Sequence, residues 1–174
     1  MGHAAMTIFT NVILEKMLNL SSAVNRVFLM GYPSTDDLTI ERLRCFVDML
    51  NEESENGSVV VVEGKRDAEA LNKIGFTGNP TLFYHFKGIA DFVDCHDRPG
   101  KKIILLLDAD RTGKYLTRRL VCQLQSKRNN VILFYKRTLA KITNGRVRHI
   151  EDLAFYAPTM SGITGARRDL YFYI

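Results

Sequence analysis

Two short runs of the chain hold no polar residue at all: Val59-Val60-Val61-Val62 and Ile103-Ile104-Leu105-Leu106-Leu107. Aliphatic, largely β-branched residues crowded in this way suit an extended backbone, and the lack of polar alternation means that both faces of each strand are covered. A chain with two such runs is constrained to a sheet with helices packed on both sides. The segments around them agree. Ile40, Leu43, Phe46, Val47 and Leu50 recur at three- and four-residue spacing, which predicts a helix over 37–53 that starts near Pro33, Ser34 and Asp36-Asp37 and stops at Asn56-Gly57. A short helix is expected from Asp67 to Ile74, a strand from Thr81 to Phe86, and a short helix from Gly88 to Cys95. Leu116, Leu120 and Leu124 then mark a helix with Arg118, Arg119 and Lys127 on its other side, and Val131 to Tyr135 reads as the last strand. Strands alternating with helices at these lengths predict an α/β fold whose central sheet is four-stranded and mainly parallel.

The chemistry is expected where the apolar strands end. The first runs into Glu63-Gly64-Lys65-Arg66-Asp67 and the second into Asp108-Ala109-Asp110-Arg111-Thr112-Gly113. In an open parallel sheet the ligand crevice lies beyond the carboxyl ends of the strands. Alternate residues of an extended segment point the same way, so Asp108 and Asp110 are expected to present two carboxylates to one point, with Ala109 turned away. Glu63 joins them if the two strands are neighbours. Three carboxylates so gathered repel one another unless a cation neutralises them, and an oxygen-only donor set suits Mg²⁺ or Mn²⁺. Asp67 reads equally as the cap of its helix or as a support for the site. Lys65 and Arg111 read equally as phosphate contacts or as salt-bridge partners of the acids. Gly64 and Gly113 permit the tight turns between strand and helix. Thr112-Gly113-Lys114 is no nucleotide-binding P-loop, because the leading G-x-x-x-x-G-K-[S/T] frame is missing.

A Glu-Gly loop after one strand and an Asp-x-Asp after a later one, here Val62-Glu63-Gly64 and Leu107-Asp108-Ala109-Asp110, resemble the two signatures of the Toprim family of topoisomerases, bacterial-type primases and small nucleases. The resemblance covers roughly 58–140, and among its members the chain is most similar to the small stand-alone proteins, including the 5S ribosomal RNA maturation nucleases. Arg146-Val147-Arg148-His149-Ile150-Glu151-Asp152-Leu153 is similar to the closing segment of small archaeal members. The resemblance implies a Toprim-like, Rossmann-like sheet and a Mg²⁺-dependent nuclease acting on RNA or DNA. In it Glu63 would be the general acid or base, Asp108 and Asp110 the metal ligands, and Lys65 and Arg111 phosphate contacts. Type IA topoisomerases carry further acids after their Asp-x-Asp. This chain has Thr112 and Lys114 there, which leaves open both a second metal and a site that binds nucleic acid without cutting it.

The charge distribution suits a polyanion-facing surface or, equally, a solvated and slightly basic one. Residues 1–100 hold 9 basic and 14 acidic side chains, whereas 101–174 hold 15 basic and 5 acidic. Lys114, Arg118, Arg119, Lys136, Arg137, Lys141, Arg146 and Arg148 are the expected nucleic-acid contacts. Cys45, Cys95 and Cys122 have no C-x-x-C spacing, which argues against a disulfide framework or a zinc site and for a cytoplasmic setting. No window approaches the ~18 apolar residues a membrane helix needs. His149, flanked by Arg148 and Glu151, reads as structural, with a proton lent to a nearby active site as the alternative. The expected organisation is an N-terminal helical extension over 1–37, where Ile8, Val12, Ile13, Met17 and Leu18 keep helical spacing, a Toprim domain over 38–158, and an apolar tail over 159–174. The extension and the tail are the expected surfaces for a homo-oligomer.

Overall fold

A computed structural model describes residues 35–162, with side chains over 36–160. The expected N-terminal extension and most of the tail lie outside the described residues. In chain order the elements are α1 (Thr35–Glu55), β1 (Val59–Val62), α2 (Lys65–Lys73), β2 (Thr81–Leu82), a 3₁₀ turn (Phe83–His85) and α3 (Ile89–Cys95). They continue with β3 (Lys102–Leu105), α4 (Arg111–Ser126), β4 (Asn130–Ile132), α5 (Phe134–Ile142), a second 3₁₀ stretch (Ile150–Tyr156) and α6 (Ala157–Gly162). The four strands form one all-parallel sheet in the order β2-β1-β3-β4, so the fold is α/β with helices flanking the sheet.

The two apolar runs are the two central strands. Val59 pairs with Ile103, Val60 with Ile104 and Val61 with Leu105. Burial is complete on both faces, as a run without alternation requires: Val60, Val61, Val62 and Ile103 to Leu107 are all 2% exposed or less. On one face Val61, Ile103 and Leu105 belong to a cluster with Phe92 of α3 and Leu120 and Leu124 of α4. The amphipathic stripe of α1 buries Leu43, Phe46 and Leu50, and Phe46 meets Tyr135 of α5 edge-on at 5.9 Å. At its C-terminal end Glu53 accepts from Ser58 Oγ at 2.6 Å and pairs with Lys102 at 2.9 Å, tying α1 to the start of β1 and to β3.

Three expectations change in the structure. The strand predicted from Thr81 to Phe86 is only two residues long, because Phe83 and Phe86 both belong in the core. A 3₁₀ turn brings residues three apart to one side, and both rings then pack on Phe92, at 5.7 and 5.0 Å. The strand predicted from Val131 to Tyr135 ends at Ile132, and Phe134 and Tyr135 open α5 instead. There the apolar period switches to 3.6, with Tyr135, Thr138, Leu139 and Ile142 buried along one side. The strand predicted over Ile103 to Leu107 ends at Leu105, Leu106 N making a last bond to Val61 O at 2.8 Å, and Leu106 and Leu107 are core residues beyond it.

Phe92 is fully buried among Phe83, Phe86 and a stacked His96 at 4.2 Å. Phe92→Ala is expected to cost about 3–5 kcal/mol, read as a lower urea midpoint at unchanged m-value. A loss under 1 kcal/mol would show that these rings do not form one packed unit. No helix among the described residues is long and apolar enough to cross a membrane.

Candidate functional site

Because β1 and β3 are neighbours in parallel register, the loops that follow them lie side by side. Glu63 is the first residue past β1, and its Oε1 accepts a hydrogen bond from Asp108 N at 3.1 Å. The backbone of Gly64 donates to Asp67 Oδ2 at 2.9 Å. Asp67, the third residue of α2, thereby supplies a capping-box arm at the start of its helix, and it is 6% exposed beside the site. Glu63, Asp67, Asp108 and Glu151 line one groove of about 440 Å³ with Tyr84 and Arg66.

Asp108 is held from several sides. Its Oδ2 lies 2.8 Å from His149 Nδ1, and its Oδ1 accepts from Ile150 N at 2.9 Å. Its carbonyl accepts from Lys136 Nζ at 2.9 Å, and the same ammonium donates to Thr117 Oγ1 at 2.9 Å. Thr117 in turn donates to the carbonyl of Gly113 at 2.6 Å. Gly113 is needed for close approach and not for its torsion angles: a Cβ there would lie 2.6 Å from Glu63 Oε1 and overlap the carbonyl of Asp108.

Asp110 does not join Asp108 in the groove. Since residues 106–110 are no longer strand, the alternation that would have aimed both carboxylates at one point does not apply. Asp110 caps α4 instead, its Oδ1 accepting from Gly113 N at 2.6 Å. Its charge still reaches Glu63. Burial pushes the Glu63 carboxyl above its usual range, against the hydrogen bond from Asp108 N, and the charges of Asp108, Asp110 and Asp67 push it the same way. Burial likewise raises Asp67. It lowers Lys136, opposed by the charges of Glu63 and Asp108.

The other expected contacts separate. Lys65 stays on the lining of the acidic groove, but it is exposed and pairs with Glu69 at 3.7 Å and not with a site acid. Arg111 is exposed at the first turn of α4. Lys136 is not a surface contact, since its ammonium is spent behind Asp108. Lys114, Arg118, Lys136, Arg137 and Arg148 line one concavity across the Asp108 loop from the acidic groove, whereas Arg119, Lys141 and Arg146 are exposed outside it.

Among the described residues, no three His, Cys, Asp or Glu side chains converge as a ready-made metal cage. The donor chemistry nevertheless fits a hard divalent ion: Glu63 and Asp108 offer the groove only carboxylate oxygens, and each ionised oxygen has a second lone pair beyond its hydrogen bond. Mg²⁺ commonly takes one or two carboxylates and completes its shell with water and substrate phosphate, so a closed cage is not required.

No family model matches the chain. It is 32% identical over 117 residues to a UPF0292 protein of Archaeoglobus fulgidus, an alignment that spans 67% of this chain and 90% of that one. The chain belongs to the UPF0292 family. A second UPF0292 protein, from Methanosarcina barkeri, is 30% identical over 132 residues, 75% of this chain and 92% of the relative. A solved structure of a protein from Aquifex aeolicus superposes with a TM-score of 0.52 at 31% identity, covering 62% of this chain and 94% of that one. Within this UPF0292 chain, sequence reasoning missed the pairing of His149 with Asp108. The signal was present in Arg148-His149-Ile150, but a contact across 41 residues has no local periodicity to reveal it.

That pairing titrates. The hydrogen bond and charge of Asp108 raise His149 above its ordinary value, with the Asp152 and Asp110 charges assisting against a small burial cost. A raised histidine stabilises the fold below its unfolded value of about 6.5 and loses that contribution as pH rises through the folded value. The ring is 44% exposed, so solvent screening keeps the effect on stability small. Proton NMR is expected to place the His149 midpoint above 6.5, and Asp108→Asn to bring it back toward that value. An unchanged midpoint in Asp108→Asn would show that the pair does not form in solution.

Proposed function

We propose that this chain is a Toprim-type, Mg²⁺- or Mn²⁺-dependent phosphodiesterase acting on nucleic acid, RNA or DNA. The observation that carries the reading is the contact between Glu63 and the Asp108 backbone at the ends of adjacent parallel strands, with Glu63 raised by burial and by neighbouring acids. Glu63 is then the proton carrier of the site: as an acid it protonates a leaving oxygen, and as a base it takes a proton from the attacking water. Glu63 and Asp108, which share the groove, are the residues that would hold the cation, which when bound supplies charge neutralisation at the phosphate. His149, Ile150 N and Lys136 orient Asp108 and keep its loop in place. The exposed Arg118, Arg137 and Arg148 bind backbone phosphates, which dominate affinity for a polynucleotide. The three free cysteines fit a cytoplasmic setting.

One observation favours a second reading, a module that binds nucleic acid without cutting: both carboxylate oxygens of Asp108 already have protein partners. The deciding experiment incubates labelled single-stranded, duplex and hairpin RNA and DNA with Mg²⁺ or Mn²⁺. Cleavage that EDTA stops is the expected result. Salt-sensitive binding with no cleavage of any substrate would sink the enzyme and leave the module.

A further inference from the structure

The concavity between α4 and α5 has a volume of about 630 Å³, within the range of about 300–1,000 Å³ typical of small-ligand sites. Its walls are aliphatic, from Leu107, Val121, Leu133, Leu139 and Val147. Its rim holds cations from three separate segments: Lys114 and Arg118 on α4, Lys136 and Arg137 on α5, and Arg148 beyond it. No Asp or Glu lines it. Lys136 is already committed to Asp108 and Thr117, but among the described residues no carboxylate pairs with the side chains of Arg118, Arg137 or Arg148. An apolar hollow ringed by uncompensated guanidinium groups calls for a ligand with an apolar body and more than one negative charge.

The concavity also shares a wall with the acidic groove. Leu107 and Ala109, on either side of Asp108, line it, and Ala109 N donates to Arg148 O at 2.7 Å. Ile150 lines it as well, while its backbone holds the Asp108 carboxylate. A ligand seated here therefore lies against the loop that carries the candidate chemistry.

We propose that this concavity receives one unpaired nucleotide of the polynucleotide, its base against the aliphatic wall and its flanking phosphates on Arg118, Arg137 and Arg148. The inference rests on the nucleic-acid reading above and adds to it the substrate's form. A fully paired duplex offers the rim its phosphates but keeps the faces of its bases stacked away, leaving the hollow empty. An unpaired nucleotide brings both an apolar face and the phosphates on either side of it. The site thereby selects bulges, loops or single strands over continuous duplex.

The test is binding in EDTA, where nothing is cut, of three labelled hairpins: fully paired, with one bulged adenine, and with an abasic bulge. The bulged adenine is expected to bind about tenfold more tightly than the paired stem, and the abasic bulge to bind like the paired stem, since the gain comes from the base. Cys122, an exposed residue on the wall, allows two further readouts. Cys122→Trp fills the hollow from its open side and is expected to reduce the preference below about twofold while leaving paired-stem affinity unchanged. In the unsubstituted protein, the bulged hairpin is expected to slow alkylation of Cys122 relative to the exposed Cys95, which lies outside the concavity. Equal affinity for all three hairpins with unprotected Cys122 would overturn the inference and leave nucleic-acid binding standing. Equal gains for the adenine and abasic bulges would also overturn it, because flexibility and not the base would then be read. No affinity for any hairpin would overturn it together with the nucleic-acid reading, while failure to cleave in Mg²⁺ bears only on the catalytic proposal.

Discussion

Glu63→Gln is expected to lower metal-dependent cleavage by about 10²–10⁴-fold, the usual contribution of a positioned general acid or base, while hairpin affinity in EDTA stays within about twofold. The substitution keeps the shape and the acceptor: a Gln Oε1 still accepts from Asp108 N, as Glu63 Oε1 does at 3.1 Å. It removes the proton and the charge. The stability effect has a definite sign. A carboxyl raised by burial penalises the folded state above the unfolded carboxyl range, and the penalty is relieved as pH falls through the raised folded value. At pH 7 the neutral amide escapes that penalty, so the variant's Tm is expected to equal or exceed that of the parent. An inactive protein that is at least as stable identifies a group held in place for chemistry. Activity within about threefold of the parent, measured as kcat/KM on the best-cut substrate, would remove Glu63 from the mechanism.

Gly113→Ala tests the same site through the backbone. In an exposed helix this change would gain about 1 kcal/mol of helix propensity. Here Gly113 is buried in the first turn of α4, and the added methyl would lie 2.6 Å from Glu63 Oε1 and against the carbonyl of Asp108. Neither neighbour yields easily. The carbonyl is backbone and already accepts from Lys136, and the Glu63 oxygen is tied to Asp108 N. Overpacking of this kind costs about 1–3 kcal/mol, which offsets the helical gain and gives a net loss of stability. The shift also falls on the reacting carboxylates, where a displacement near 1 Å can cost about 10²-fold in rate. The expected pair of results is a lower Tm and cleavage reduced about 10²-fold. A raised Tm with full activity would show that the loops after β1 and β3 do not approach as closely as the structure has them.

The legible and illegible parts of this protein divide along a physical line. Val59 to Val62 and Ile103 to Leu107 announce buried parallel strands because burial on both faces leaves a continuous apolar run, a property of each segment alone. The stripe of Ile40, Leu43, Phe46, Val47 and Leu50 announces α1 for the same reason. The positions of Glu63 and Asp108 at strand ends were legible too, since the apolar run stops where the chain leaves the core. The ends of β2 and β4 were not, because Phe83, Phe86 and Tyr135 suit either a strand or a helical turn by propensity. Only packing against Phe92 and Phe46 decides between them.

The class of fold, the acids at the strand ends and the basic character of the C-terminal half thus follow from the order of residues alone. What each site residue touches follows from packing. Asp108 and Asp110 look equivalent in the sequence, two carboxylates flanking an alanine. In the fold one is held by His149, which lies 41 residues on, and the other caps a helix with its own Gly113. Lys136 reads as one more surface cation, yet it is drawn inward to a carbonyl 28 residues before it. Past the last strand residue no repeating period aims the side chains, so their directions are set by the partners that packing brings within hydrogen-bond reach.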